Sequence, residues 1–195
     1  MSTFRTAASS VAAVALGAGL LLAGPASADS IPTRSVPSHA HPDFTAQARK
    51  AGLTGAQARE LQTRVDEYLA RMGGTQVAAN RIDLKGGDIV VAVPGEKYTR
   101  DLNTPAVAHP HDACPYGDFC MFTGTGFTGS QFNLYTCGTY DLSNWNGNGS
   151  YDNNQTPGTA AKMLDRNYNV IDTTPGAYWL QSTYDWTPVW HVVPC

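Results

Sequence analysis

The chain has 195 residues, 42% hydrophobic, 10% aromatic and 15% charged, with a formal net charge of -3; collagen-like, coiled-coil and fully disordered chains are excluded, and one or two small globular domains remain. Residues 29–100 carry ten Lys and Arg against eight acids (+2), whereas residues 101–195 carry only Lys162 and Arg166 against eight (-6), which argues against nucleic acid as the partner. All eight acids of that second half are Asp, set among Asn, Gly, Thr and Tyr, so it reads as strands and turns, an all-β domain.

At the start, Arg5 precedes an apolar run over residues 11–22 and then Ala26-Ser27-Ala28, a small-x-small end of the kind a signal peptidase accepts. The run falls short of the roughly 20 residues a membrane-spanning helix needs, so residues 1–28 read as an export signal and no membrane partner is expected. The mature chain then begins at Asp29, is secreted, and keeps its disulfides in an extracellular setting. Residues 29–42 combine three Pro with small polar residues and read as a flexible leader.

Residues 43–97 read as a small α+β extension. A short helix is expected from Asp43 to about Ala51. Thr54 and Gln57 then form a capping box, Leu61, Val65, Tyr68, Leu69 and Met72 recur at helical spacing, and Gly73-Gly74 supplies the stop. Two strands come next, over residues 77–84 and 89–93, joined at Lys85-Gly86-Gly87-Asp88. A helix on one hairpin buries little apolar surface, so this unit is expected to lean on the rest of the protein. Residues 98–113, rich in Pro and His, read as a linker, and residues 114–195 as a disulfide-bonded β domain with turn signals every eight to twelve residues. The pairs His39 with His41 and His109 with His111 sit in leader and linker, where solvated histidines are the plainer reading than a metal site.

Within the β domain, Phe122, Phe127 and Gly129 have the spacing aromatic, four residues, aromatic, one residue, glycine. One ring can pack on the other across a folded hairpin, and glycine accepts the backbone angle that returns the chain. Residues 114–129, CPYGDFCMFTGTGFTG, closely resemble the opening of the secreted microbial metalloproteinase inhibitors with a βγ-crystallin fold (peptidase inhibitor family thirty-six), and Cys137-Gly138, residues 140–145 and residues 150–156 resemble the same family. The resemblance implies two Greek-key motifs forming a two-sheet sandwich, the first from Phe119 to about Trp145 and the second from Ser150 onward, preceded here by the α+β extension.

Four cysteines allow three pairings, which sequence alone does not decide. Relatives close the seven-residue turn locally, which favours Cys114 with Cys120 and leaves Cys137 with Cys195. Calcium-binding relatives use a stretch of Asn or Asp followed by hydroxyl residues. Asn146, Asn148 and Ser150 match its frame, but Gly147 and Tyr151 remove two ligands, so any Ca²⁺ site is weak, and no other cofactor is implied.

No nucleophile elbow or zinc-helix motif is present, and the three Glu residues, Glu60, Glu67 and Glu96, precede the β domain, so an enzyme is not expected. Asp165 and Asp172, conceivable as an acid/base pair, read more simply as turn residues. The family resemblance implies an inhibitor of extracellular, thermolysin-like zinc proteases that blocks the cleft with a rigid loop, acting as a monomer. Such enzymes prefer a large apolar residue after the cut, so the presented bond is expected at Asn169-Val170 or Val170-Ile171, with a plain hairpin over residues 165–176 and no inhibitory activity as the equal alternative. No cysteine pair brackets that loop, a departure from the family pattern. The competing reading is a secreted βγ-crystallin-type module binding Ca²⁺, envelope polymer or carbohydrate, with Trp145, Trp179, Trp186, Trp190, Tyr151, Tyr178 and Tyr184 as a sugar platform; in so small a domain, core is the weightier reading of these aromatics.

Overall fold

Helix α2 (Gly55–Met72) starts where its sequence caps it: Thr54 accepts a hydrogen bond from the Gln57 N–H while the Gln57 side chain accepts from the Thr54 N–H. It ends at Gly73, whose positive φ of 71° closes the last turn. Its apolar face, Ala58, Leu61 and Val65, is buried, and a shorter helix, α1 (Thr45–Lys50), precedes it. The computed structural model describes residues 44–103, 114–142 and 145–195. The expected export signal, the leader with His39 and His41, and the linker pair His109 and His111 lie outside the described residues.

Among the described residues, eleven strands complete the order: β1 (Thr75–Ala78), β2 (Arg81–Leu84), β3 (Gly87–Val90), β4 (Phe119–Gly124), β5 (Thr128–Leu134), β6 (Tyr140–Asp141), β7 (Asn148–Asn153), β8 (Lys162–Leu164), β9 (Val170–Thr173), β10 (Trp179–Asp185) and β11 (His191–Val193). The single strand expected over residues 77–84 is two strands, β1 and β2, separated by Ala79-Asn80. The bend is held by distant partners. Asn80 donates to the carbonyls of Val91 and Arg100 and accepts from the Leu102 N–H, three bonds that no local turn signal announces. The strand expected over residues 89–93 is β3, shifted to Gly87–Val90, and Val91 bonds back to Asn80 outside the ladder.

The strands form two antiparallel sheets, one of seven in the order β1-β2-β3-β5-β4-β7-β10 and one of four in the order β6-β11-β8-β9. Two four-strand Greek keys account for the smaller sheet and for four strands of the larger. The first is β4, β5, β6, β7 and the second β8, β9, β10, β11, and each lends its third strand to the other's sheet: β6 pairs with β11, and β10 with β7. The first motif therefore runs past Trp145, because residues 148–153 pair with β4 as its closing strand rather than opening the second motif.

The extension continues the larger sheet. Strand β3 pairs with β5 at Ile89↔Phe132 and Gly87↔Leu134, and Gly87 lies so close to the Asn133 carbonyl that a Cβ there would overlap it. One apolar core runs through all these layers, from Leu61, Val65, Ile82 and Ile89 to Phe119, Phe132, Met163, Trp186 and Val192. Two disulfides, Cys114–Cys120 and Cys137–Cys195, join the chain. Among the described residues, no helix is long and apolar enough to cross a membrane.

Candidate functional site

The first hairpin corner shows how the fold makes a rigid turn. Phe122 and Phe127 meet edge to face with ring centroids 5.6 Å apart. Phe127 and Gly129 both have positive φ, 62° and 80°, which bends the chain back over the hairpin. Ser150, opposite Phe122 on β7, fastens the corner: its Oγ accepts from the Phe127 N–H at 2.9 Å and donates to the Gly124 carbonyl at 2.7 Å. Sequence reasoning named Ser150 for calcium and missed this role. Its hydroxyl is fully buried, whereas Asn146 and Asn148 are exposed. Among the described residues, no group of three or more His, Cys, Asp or Glu is placed to hold a metal ion.

The second motif repeats the corner with different chemistry. Strands β8 and β9 form its hairpin, with Arg166, Asn167 and Tyr168 at the tip. Asp165 organises this turn: its carboxylate accepts from the N–H groups of Asn167 and Asn169 and from the Asn169 side-chain amide, at 2.8, 2.9 and 3.0 Å. Those bonds, the Asn169 side chain first among them, hold the Asp165 carboxyl below the usual carboxylate range. Tyr168 has a φ of 63°, the counterpart of Phe127, and its ring stacks on His191 with centroids 3.9 Å apart. His191, on β11, stands opposite Leu164, the last residue of β8, whereas Ser150, on β7, stands opposite Phe122, two residues before the end of β4. The His191 Nδ1 lies 2.5 Å from Asp141 Oδ1 on β6. Beside it, the Arg166 guanidinium lies over the Trp190 ring at 5.5 Å.

Asn169, Val170 and Ile171 come directly after the turn. Val170 and Ile171 are 54% and 43% exposed on β9, the outermost strand of the smaller sheet. Met163 pairs with Asp172 and Leu164 with Val170, so Ile171 is the extra residue of a β-bulge, a feature that re-aims a side chain. Asp172 and Asp165 serve turn and sheet: Asp172 accepts from the Tyr184 hydroxyl at 3.0 Å, which joins β9 to β10. Burial, with that contact next, raises the Tyr184 phenol well above its ordinary value.

The aromatics divide. Trp145, Trp186 and Tyr151 are buried in the core, in edge contact with one another or with Tyr184, whereas Trp179 (44% exposed), Trp190 (50%) and Tyr178 face outward. Burial pushes the Tyr151 phenol up to about 12.

The molecule is a two-sheet Greek-key sandwich carrying a fastened hairpin with exposed apolar residues. Residues 108–170 match the family model for Peptidase inhibitor family I36, a stretch spanning the first Greek key and the opening of the second hairpin. Over this stretch, about a third of its length, the chain is similar to that family of peptidase inhibitors. No curated protein and no solved structure matches the chain.

Proposed function

We propose that the protein is a secreted inhibitor of extracellular zinc peptidases of the thermolysin type, and that it offers Asn169-Val170-Ile171 to the active-site cleft as an extended, substrate-like segment. What supports this most is one juxtaposition: two exposed large apolar residues lie on an outermost strand, directly after a turn that the Asp165 carboxylate fastens through three hydrogen bonds. A segment already extended forgoes most of the ordering cost that a flexible peptide bears on binding. Zinc peptidases of this type favour a large apolar side chain after the scissile bond, which Val170 or Ile171 supplies. Among the described residues the outer edge of β9 has no neighbouring strand, and it offers backbone groups for strand-like pairing with an enzyme cleft.

The test is titration of the oxidised chain from Asp29 into thermolysin and, in parallel, trypsin. Stoichiometric loss of thermolysin activity with trypsin unaffected is the expected outcome. Val170→Asp and Ile171→Asp should each abolish the inhibition while the melting temperature stays within a few degrees, since both side chains are exposed. Inhibition that survives both substitutions would place the contact elsewhere on the molecule. The outward-facing Tyr178, Trp179 and Trp190 favour a second reading, a module that stacks on carbohydrate or envelope polymer. Under that reading the same two substitutions leave glycan binding intact and thermolysin is never inhibited.

A further inference from the structure

We infer that Arg166 and Tyr168, clamped on Trp190 and His191, form a positioning device that fixes how the Asn169-Val170-Ile171 segment is held; the inference rests on the inhibitory reading and adds to it the residues that control it. The hairpin tip has only three residues, Arg166, Asn167 and Tyr168, and two of their three side chains lie on neighbouring rings of the segment entering β11. Arg166 covers Trp190 at 5.5 Å, and Tyr168 lies flat on His191, 3.9 Å between centroids and 11° between planes. His191 is in turn tied to Asp141, which belongs to the first Greek key, so the tip is anchored to the far motif and not merely to its own hairpin.

In the first motif Ser150, on the neighbouring strand β7, locks the corner by bonding the backbone. In the second motif His191, on the neighbouring strand β11, locks the corner by holding the side chain of the positive-φ residue. A backbone lock leaves the corner's side chains free, whereas a ring lock fixes the side chain that immediately precedes Asn169. Tyr168 is 59% exposed, so packing into the core does not explain its orientation. The Asp165 carboxylate holds the tip's backbone from inside, the two ring contacts hold it from outside, and the exposed apolar pair lies within the next three residues. Immobilising a segment before it meets an enzyme both tightens binding and keeps a cut bond's ends in register.

The experiment uses the full oxidised chain and compares Tyr168→Gly, Tyr168→Phe and His191→Ala with the unaltered protein. Glycine accepts the positive φ at this position, so Tyr168→Gly removes the ring without straining the turn. Two readouts are taken together: inhibition of thermolysin with the rate of cleavage within residues 169–171 by mass spectrometry, and hydrogen exchange at the amides of Asn167 and Asn169. Tyr168→Gly and His191→Ala should weaken inhibition by about tenfold or more, speed the cleavage, and raise exchange at both amides, while Tyr168→Phe keeps all three values. Inhibition and exchange unchanged in Tyr168→Gly would overturn the inference. If the unaltered chain leaves thermolysin untouched, the inhibitory reading fails by itself, and the exchange data still decide the clamp: unmoved amides overturn it, and amides released by glycine but not by phenylalanine sustain it. Should His191→Ala fail to fold, the exposed Tyr168 pair decides alone.

Discussion

The hydroxyl of Ser150 is enclosed and serves two backbone groups of the turn opposite, so Ser150→Ala leaves the Phe127 N–H and the Gly124 carbonyl without that partner. Losing buried partners of this kind costs about 2 kcal/mol, which a urea titration should read as a lower midpoint with an unchanged slope. Single residues were also where sequence reasoning was least complete. The aromatic, aromatic, glycine spacing of Phe122, Phe127 and Gly129 was legible because all three partners lie within one hairpin. The locks were not. Ser150 and His191 act on turns more than twenty residues away in sequence, and a serine or histidine in a strand carries no local sign of that. The tryptophans show the same limit. Trp186 is entirely buried and Trp190, four residues on and beyond the turn at Thr187-Pro188, is half exposed.

At the scale of elements, the joint between β3 and β5 is the feature with the largest consequence for stability. Ile89 faces Phe132 across that joint and is wholly buried with Ile82, Leu61 and Val65 in the common core. Ile89→Ala should therefore destabilise the protein by about 2–5 kcal/mol, the range for truncating a buried aliphatic side chain. Tryptophan fluorescence is the right probe, because all four tryptophans lie at position 145 or beyond, outside the extension. A lowered urea midpoint by that probe shows that the extension and the Greek keys unfold together; an unchanged midpoint would mean that they melt separately. Helix α2 was legible down to its caps because Thr54, Gln57 and Gly73 act within the helix itself. The break between β1 and β2 was not, since Asn80 turns the chain through bonds to Val91, Arg100 and Leu102. The extension's need of support could be read from its small size, but its place as three further strands of the larger sheet depends on an edge, that of β5, supplied more than forty residues later.

For the molecule as a whole, the acids along the larger sheet set a dependence on pH. Asp118, buried just before β4, has its carboxyl pushed up to about 6 from an ordinary 3.8, by burial first and then by the charge of Asp88, with Arg81 pulling the other way. Asp88 on β3 is raised by burial too, although the Arg81 guanidinium lies 3.2 Å away and Asn133 donates to it. A carboxyl whose folded value is raised binds its proton more tightly in the folded state, so its contribution to stability declines as pH rises from about 4 through about 6. Asp118→Asn should therefore stabilise the protein at pH 7, by at most about 3 kcal/mol, and change little at pH 4, as urea unfolding at the two pH values will show.

The exchange of third strands between the Greek keys, together with the Cys137–Cys195 bridge, also governs the fate of a severed chain. A cut between Asn169 and Val170 leaves a piece, residues 170–195, whose β10 is paired with β7, whose β11 lies between β6 and β8, and whose last residue is covalently bound to Cys137. Neither new terminus can diffuse away, so each remains at a high effective concentration beside the other. Hydrolysis there forgoes the entropy of release, so re-forming the bond is favoured relative to a cut in a free peptide.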